Sequence, residues 1–488
     1  MLAKLKRLSF LVVPMILLLG ILLRVLVYFQ NRSLIIDEAN LARNVVEKNG
    51  LEFFESLDYQ QYCPPVFMLL TKLNTYLFGI NEWSLKLLPL LGGILLLGVF
   101  WSVLKILVKE SLVHAYLLLV LSFSSLAIRY STEFKQYSLD TLLTLVLIYM
   151  ALQFKSAKWT LKNTLIWLLL GSLVIWTSMP SIFILAAIGF AFLYQSWIVE
   201  RKIPIGLVVA GGVWLLNFGL YFWTVLYQDS TSDLLQDYHQ KFFFEFLPTT
   251  TADLSRSFNL LLGLMTSITD RTVVGLIFCA LFLSIGSYQI IKKKKFEALL
   301  LLLPILFALI ASNLKLYSLI PRLSLFLIPV CLLLMGVGLN FAWEKMHSTF
   351  KIGILVLMLI SIVNKEGYTY FKAKMEFENS KAVLTFLAKN KATKDLIVVQ
   401  HDAVPAFVFY NSMHDNAYHF KPVYLAKWAE KPTRIIPSQG WDSQTFWLFF
   451  AHTSIKEKGS FLDSANKVAI PTEKYESKVA STYRFDRK

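Results

Sequence analysis

Charge is scarce in this chain: Asp, Glu, Lys and Arg make up 16% of its 488 residues, where soluble globular proteins carry about a quarter. A deficit of that size over so long a chain excludes a wholly water-facing surface. Cysteine is scarcer still. Cys63, Cys279 and Cys331 show no CxxC or metal-type spacing, which argues against a disulfide framework. Two of them sit in apolar runs, where cysteine behaves as a small hydrophobe. The four tail histidines, His401, His414, His419 and His452, lack a zinc-type pattern, and no metal is expected. No nucleic-acid module accompanies the net charge of +16, so basic residues are assigned to the flanks of membrane spans rather than to a nucleic-acid partner.

Apolar residues are plentiful. They form 56% of the chain, with a mean hydropathy of +0.56. Runs of about 17 to 25 apolar residues recur, each long enough to cross ~30 Å of hydrocarbon. They predict about eleven transmembrane helices, at 8–29, 86–106, 111–128, 138–154, 163–179, 181–198, 204–226, 272–291, 297–313, 322–341 and 350–364. The first run follows Lys4, Lys6 and Arg7 but is longer than a signal-peptide core and lacks a small-residue cleavage site. It reads as an uncleaved first span with a cytoplasmic N-terminus. Connections holding Lys105 and Lys109, then Lys155, Lys158 and Lys162, then Arg201 and Lys202, then Lys292–Lys295, then Lys345 and Lys351 each carry at least two basic residues. The positive-inside rule therefore sets those five in the cytoplasm. Segments 30–85, 129–137, 227–271, 314–321 and the tail after Asn364 then face outward.

Within the long first external loop, periodicity over 39–47 and 66–78 predicts short amphipathic helices on the membrane surface. Ser257–Ile268 is apolar but too short to cross alone and reads as re-entrant or interfacial. The tail changes character. Lys381–Asn390 reads as helix, and Asp395–Gln400 and Thr445–Ala451 read as strands, the first ending before His401, Asp402 and Pro405. The fold class is thus a polytopic α-helical membrane protein. Residues 1–364 form the transmembrane domain, and 365–488 a small α/β extracytoplasmic domain.

Four features carry chemistry. Asp37 and Glu38, in Ile35-Ile36-Asp37-Glu38-Ala39, set two carboxylates just beyond the first span. On spacing alone an acidic cap at a helix start is the commoner explanation. Arg129 to Asp140 (RYSTEFKQYSLD) packs Arg129, Glu133, Lys135, Tyr137 and Asp140 between two spans, where ionisable groups are costly unless paired or facing a cavity. Interfacial snorkelling accounts for Arg129 and Tyr130 well, and for Asp140 less well. Arg322 opens the tenth span. It can hold a lipid phosphate bidentately or simply anchor the helix end, and the spacing leaves both open. Arg24, inside the first span, is expected to reach the interface by its own length. Together these outward loops offer a base, several cations and an amphipathic floor, a set suited to a substrate with a lipid phosphate and a polar head.

The run SLIIDEANLARNVV after the first span, then YQQYCPPVFMLLTKL and FGINEWSLKLLPLLGG, resembles the first external loop of GT-C glycosyltransferases. The match is to the family 39 group of protein O-mannosyltransferases and lipid A aminoarabinose transferases. RYSTEFKQYSLD and IPRLSLFLIP are similar to later landmarks of that group. The resemblance covers residues 8–140 and 314–330, and the rest by hydropathy. It implies an inverting transfer of a sugar from a polyprenyl-phosphate donor to an acceptor at the outer face of the plasma membrane. Asp37 matches the family's loop aspartate and would be the general base, with Glu38 positioning the site. Arg129, Lys135 and Arg322 would hold the donor phosphate, supported by Glu133, Tyr137, Asp140 and Tyr62. Such a donor is already activated on its lipid, so no nucleotide fingerprint and no cofactor is expected. The tail matches neither the lectin-like insertion of the mannosyltransferases nor the aminoarabinose enzyme motif by motif, and the acceptor stays open.

Two other classes compete. A transporter or flippase for a lipid-linked or anionic substrate would show paired, broken spans in two halves, and no such pair is visible. A scaffold working through its tail would need recognisable binding features there. None is found.

Overall fold

The computed structural model describes residues 2–227, 233–269, 272–363, 366–428, 430–436 and 443–488. Among them, eight helices are long and apolar enough to cross a membrane. These are Val12–Phe29, Glu82–Leu107, Tyr137–Phe154, Ser181–Val199, Ile205–Leu226, Val273–Lys293, Lys295–Asn313 and Leu323–Lys345. Three shorter apolar helices, Ser111–Ser122, Leu161–Thr177 and Phe350–Ile360, fall in the other intervals where spans are expected from sequence. The expected end of the last span and the domain boundary at 364/365 lie outside the described residues.

The helices share one large apolar core, and Leu323–Lys345 is its most buried member. Part of its burial comes from a close approach of two backbones. A Cβ built on Gly286 would stand 1.9 Å from the Leu334 carbonyl oxygen, and one on Gly338 would stand 2.2 Å from that of Phe282. Small residues at both surfaces let these helices touch directly.

Helix α1 (Leu2–Phe29) leads into the first loop, which folds as α2 (Ile36–Glu47) and α3 (Pro65–Phe78) before α4 (Glu82–Leu107). Both loop helices lie where periodicity predicts them, but their surroundings differ. α3 exposes Leu70, Leu73, Tyr76, Leu77 and Phe78 along one face. α2 instead buries Leu41, Ala42 and Val45 against the tail, in a core shared with Leu384, Phe407 and Tyr410. Arg24 also departs from expectation. It stays wholly buried, and its guanidinium donates to the carbonyls of Gly20 at 2.9 Å and Ser122 at 3.0 Å. Leu121 and Ser122 end their helix with unsatisfied carbonyls, so the arginine satisfies them instead of snorkelling.

The tail forms a five-stranded sheet in the order β2-β1-β3-β5-β4. Its strands are β1 (Leu396–Val399), β2 (Val423–Leu425), β3 (Thr445–Phe450), β4 (Ala469–Glu476) and β5 (Ser481–Arg487). β1 runs parallel to both β2 and β3, with Ile397 opposite Val423 and Trp447. β5 is antiparallel to β3, and β4 to β5. All four residues of β1 are buried, as expected of a parallel strand covered on both faces. One face, with Ile397, Val399 and Trp447, joins the apolar cluster that the tail helices share with the first loop. The other, with Leu396, Val398 and Leu448, packs on Ile455–Val468 through Phe461 and Ala465.

Candidate active site

The start of α2 is held from several directions by Glu38. Ile35 precedes the helix and has no side-chain oxygen to cap it, so Glu38 reaches back and accepts from the Ile35 N–H at 3.1 Å. The same carboxylate receives both arms of Arg32, at 2.7 and 3.1 Å, and the Phe134 N–H at 2.6 Å. Lys86 Nζ stands 3.9 Å away and donates to the Arg32 carbonyl at 2.9 Å. Glu38 is entirely buried. Burial alone would lift its pKa, but Arg32 and Lys86 outweigh it and hold the group below the ordinary carboxylate range. Both its oxygens are thereby engaged in fixing the loop.

Asp37, one residue earlier, is partly open. Its Oδ2 meets Arg322 Nη1 at 3.0 Å, with side-chain exposures of 34% and 24%. Burial again opposes charge, and Lys135 and Arg322 again win, so the Asp37 pKa lies below its usual value. Arg322 is subject to the same balance. Burial disfavours its charge, while Tyr137, Asp37, Tyr238 and Tyr130 more than compensate and raise its pKa. The result is one partly exposed ion pair acted on by Tyr130, Tyr137 and Tyr238.

The structure gathers most of the other expected residues around this pair. Lys135 is buried, donates to Gln61 Oε1 at 2.8 Å and acts electrostatically on Asp37. Tyr130 and Tyr137 meet edge to face at 5.0 Å between ring centres. Arg129 is turned to Glu133 at 2.7 Å and lies 4.2 Å over the Phe377 ring. Glu133 also stands 3.9 Å from Arg32, which joins the two ion pairs. Tyr62 pairs hydroxyl to hydroxyl with Tyr221. Asp140 is buried lower, facing Ser178, with one oxygen lacking a hydrogen-bond partner.

Several participants are not evident from the sequence. Arg32 and Lys86 look like ordinary flanking cations until Glu38 is seen between them. The tail also reaches the site. The Leu34 N–H donates to the Tyr410 hydroxyl at 2.9 Å, and that hydroxyl donates to Glu82 at 2.9 Å. Lys381 and His414 complete the set around Glu82, at 2.7 and 3.2 Å. Beside them Asp415 accepts from the Ile80 N–H at 2.9 Å. Gly79 makes room for that carboxylate: its φ is +82°, and a Cβ there would stand 2.1 Å from Asp415 Oδ2. Glu378 and His452, 3.9 Å apart, are also tail residues, and His452 acts electrostatically on Asp37. No short motif signals the Tyr410 and Asp415 contacts, because they join segments more than 300 residues apart.

Solved structures share this architecture. ArnT from Cupriavidus metallidurans, bound to undecaprenyl phosphate, superposes with a TM-score of 0.53 at 14% identity, covering 97% of each chain. The fold is that of the GT-C glycosyltransferases. The GT-C likeness extends to the Archaeoglobus fulgidus oligosaccharyltransferase AglB, in complex with an inhibitory peptide and a dolichol-phosphate, at a TM-score of 0.52 and 11% identity over 97% of this chain and 74% of that one. A structure of the same A. fulgidus enzyme with Zn and sulfate gives 0.53 and 12%, over 97% and 72%. No protein-family model and no curated protein sequence matches the chain. The eight apolar helices of spanning length among the described residues are those of a multi-pass membrane protein.

Proposed function

We propose that the protein is an inverting glycosyltransferase that moves a sugar from a polyprenyl-phosphate donor to an acceptor hydroxyl at the outer face of the membrane. The observation that carries this reading is the Asp37–Arg322 pair at 3.0 Å, a charged carboxylate and a cation at one opening of a GT-C fold. That both ArnT and AglB have been seen with a polyprenyl phosphate lends support to the donor class.

In this mechanism the donor phosphate draws Arg322 away from Asp37, and Lys135 adds a second positive charge. Freed of its partner, Asp37 accepts the proton of the acceptor hydroxyl as that oxygen attacks the anomeric carbon. The bond from that carbon to the phosphate oxygen breaks, and polyprenyl phosphate departs with its charge matched by the two cations. Attack opposite the leaving group inverts the anomeric centre. Glu38 and Arg32 take no part in the bond changes and keep Asp37 aimed at the opening. Residues 1–364 act as the catalytic domain, and 365–488 as an extracytoplasmic domain that braces its first loop, with the N-terminus in the cytoplasm.

Asp37→Asn tests the assignment. It should leave a folded membrane protein whose transfer from a polyprenyl-phosphate sugar falls by at least 10³-fold, in the range of lost general-base catalysis. Transfer at the wild-type rate would overturn it.

A further inference from the structure

The tail sheet carries a second crevice, away from Asp37. Its parallel strands run in the order β2-β1-β3, so the chain leaves β1 toward one side and returns past it to the other. In open α/β sheets ligands bind outside the carboxyl ends of the strands at such a reversal. A cavity of about 260 Å³ lies there. His401 enters it from the end of β1, Trp428 and Lys431 follow β2, and Glu457, Ser460 and Phe461 come from the helix after β3.

The chemistry of the crevice selects among ligands. His401, Asp402 and Glu457 bring possible metal-ligand atoms within 4.8 Å of one another, yet the local hydrogen bonds oppose a metal. Gln400 Oε1 accepts from the Asp402 N–H at 2.9 Å and from Thr453 at 2.8 Å. Its amide nitrogen must then face His401 Nδ1, at 3.0 Å. That ring nitrogen accepts, the proton sits on Nε2, and Nε2 is turned to Asp402 at 3.1 Å as a donor rather than a ligand. A phosphate fits no better. Glu430 and Glu457 outnumber Lys431 around the cavity, and the N–H groups of Asp402 and Ala403 are both spent on Gln400.

What is on offer is a flat apolar platform with mixed polar groups at its rim. The Trp428 indole is 76% exposed and is met edge-on by the His401 ring, 4.8 Å between centres. Glu457 accepts, Lys431 donates, and the Ser460 hydroxyl does both. A wholly apolar ligand would leave these groups unpaired. A pyranose satisfies both parts, with a C–H face for the indole and hydroxyls that donate and accept around it. The volume lies just below the range of drug-sized sites, which suits a single ring.

We propose that this crevice binds a neutral saccharide ring, through Trp428 and Glu457. The site stands on its own geometry and does not require the transferase reading.

Saturation-transfer difference NMR on the full-length protein in lipid nanodiscs, free of sugar-headed detergent, tests the proposal. The probes are the methyl glycosides of glucose, galactose and mannose, and the protein carries Asp37→Asn so that the Asp37 opening is altered independently. Saturation of ring C–H protons is expected for at least one probe, with a five-fold or greater loss on adding Trp428→Ala. Glu457→Gln, on a solvent-exposed helix end, serves as the second variant should Trp428→Ala lower the thermal midpoint, and is expected to weaken the same signal. No transfer from any probe, or a signal unaltered in both variants, would overturn the proposal. A signal present in the wild-type protein and abolished by Asp37→Asn alone would overturn it too, by moving the sugar to the other site.

Discussion

Asp37 and Arg322 stand 285 positions apart in sequence and meet through a single 3.0 Å contact. Neither side chain is fully buried, so each partner can be taken up by another charged or polar group without a large rearrangement. A deeply buried pair would be far costlier to separate.

The first prediction concerns pH. Arg322 and Lys135 hold the Asp37 pKa below its usual value of 3.8. The base is then ionised, and transfer supported, down to pH values below that point, and activity falls only as pH drops through the lowered pKa. Arg322→Gln removes one cation and raises the pKa. At subsaturating donor, the acid limb of the kcat/KM profile, which reports the free protein, should move to higher pH, alongside a general loss of rate. An acid limb that stays in place would separate Arg322 from the ionisation of Asp37.

Arg32 gives a second prediction. Arg32→Ala leaves Glu38 buried without its bidentate partner, a change that costs roughly 3–5 kcal/mol in other buried pairs. The thermal midpoint of the purified protein should drop by several degrees, and transfer should fall with it. Glu38→Gln, which keeps the shape and one acceptor oxygen, should be milder in stability. Equal midpoints for wild type and Arg32→Ala would refute this account of the loop.

Much of this architecture is legible in the sequence, and the legible part has a common cause. Apolar runs such as Leu327–Trp343 follow from hydrocarbon thickness, and LIVV at 396–399 follows from burial on both sheet faces, so local composition reports them. Asp37 stands out because carboxylates are rare near a span. Arg32, Lys86, Tyr410 and Gly79 do not stand out. Lys86, Tyr410 and Gly79 are ordinary residues whose tasks are set by partners from distant segments, and Arg32 pairs with Glu38 only six residues on at a spacing that marks no motif. Arg24 shows the same limit: its length permits snorkelling, and only the position of the Ser122 carbonyl decides otherwise.

Gly79 supplies the third prediction. Gly79→Ala forces a Cβ onto Asp415 in a backbone conformation, φ +82°, that alanine avoids. The tail should loosen from the first loop. Limited proteolysis should then cut between residues 366 and 420 faster than in wild type, with transfer reduced. Asp415→Ala in the same background should restore part of the protection by relieving the clash.

Glu378 supplies the fourth. It is buried, accepts from Ser380 Oγ at 2.7 Å, and burial, with Glu38 adding to it, lifts its pKa from 4.5 to about 7. Between those values the folded protein keeps a proton that the unfolded chain has lost, so stability falls as pH rises from about 4.5 to about 7. Glu378→Gln removes that proton exchange. Its thermal midpoint should decline less across the interval than that of wild type, and parallel declines would assign the slope to other groups.

The tie from Tyr410 to Leu34 and Glu82 also bears on how the protein is made. Helix α1 and its loop leave the ribosome long before Lys381, Tyr410 and His414. A nascent chain therefore carries Asp37 on a loop that still lacks its braces. Under the proposed mechanism the base is fixed only once those residues have been made, and a product released before Lys381 lacks its braces.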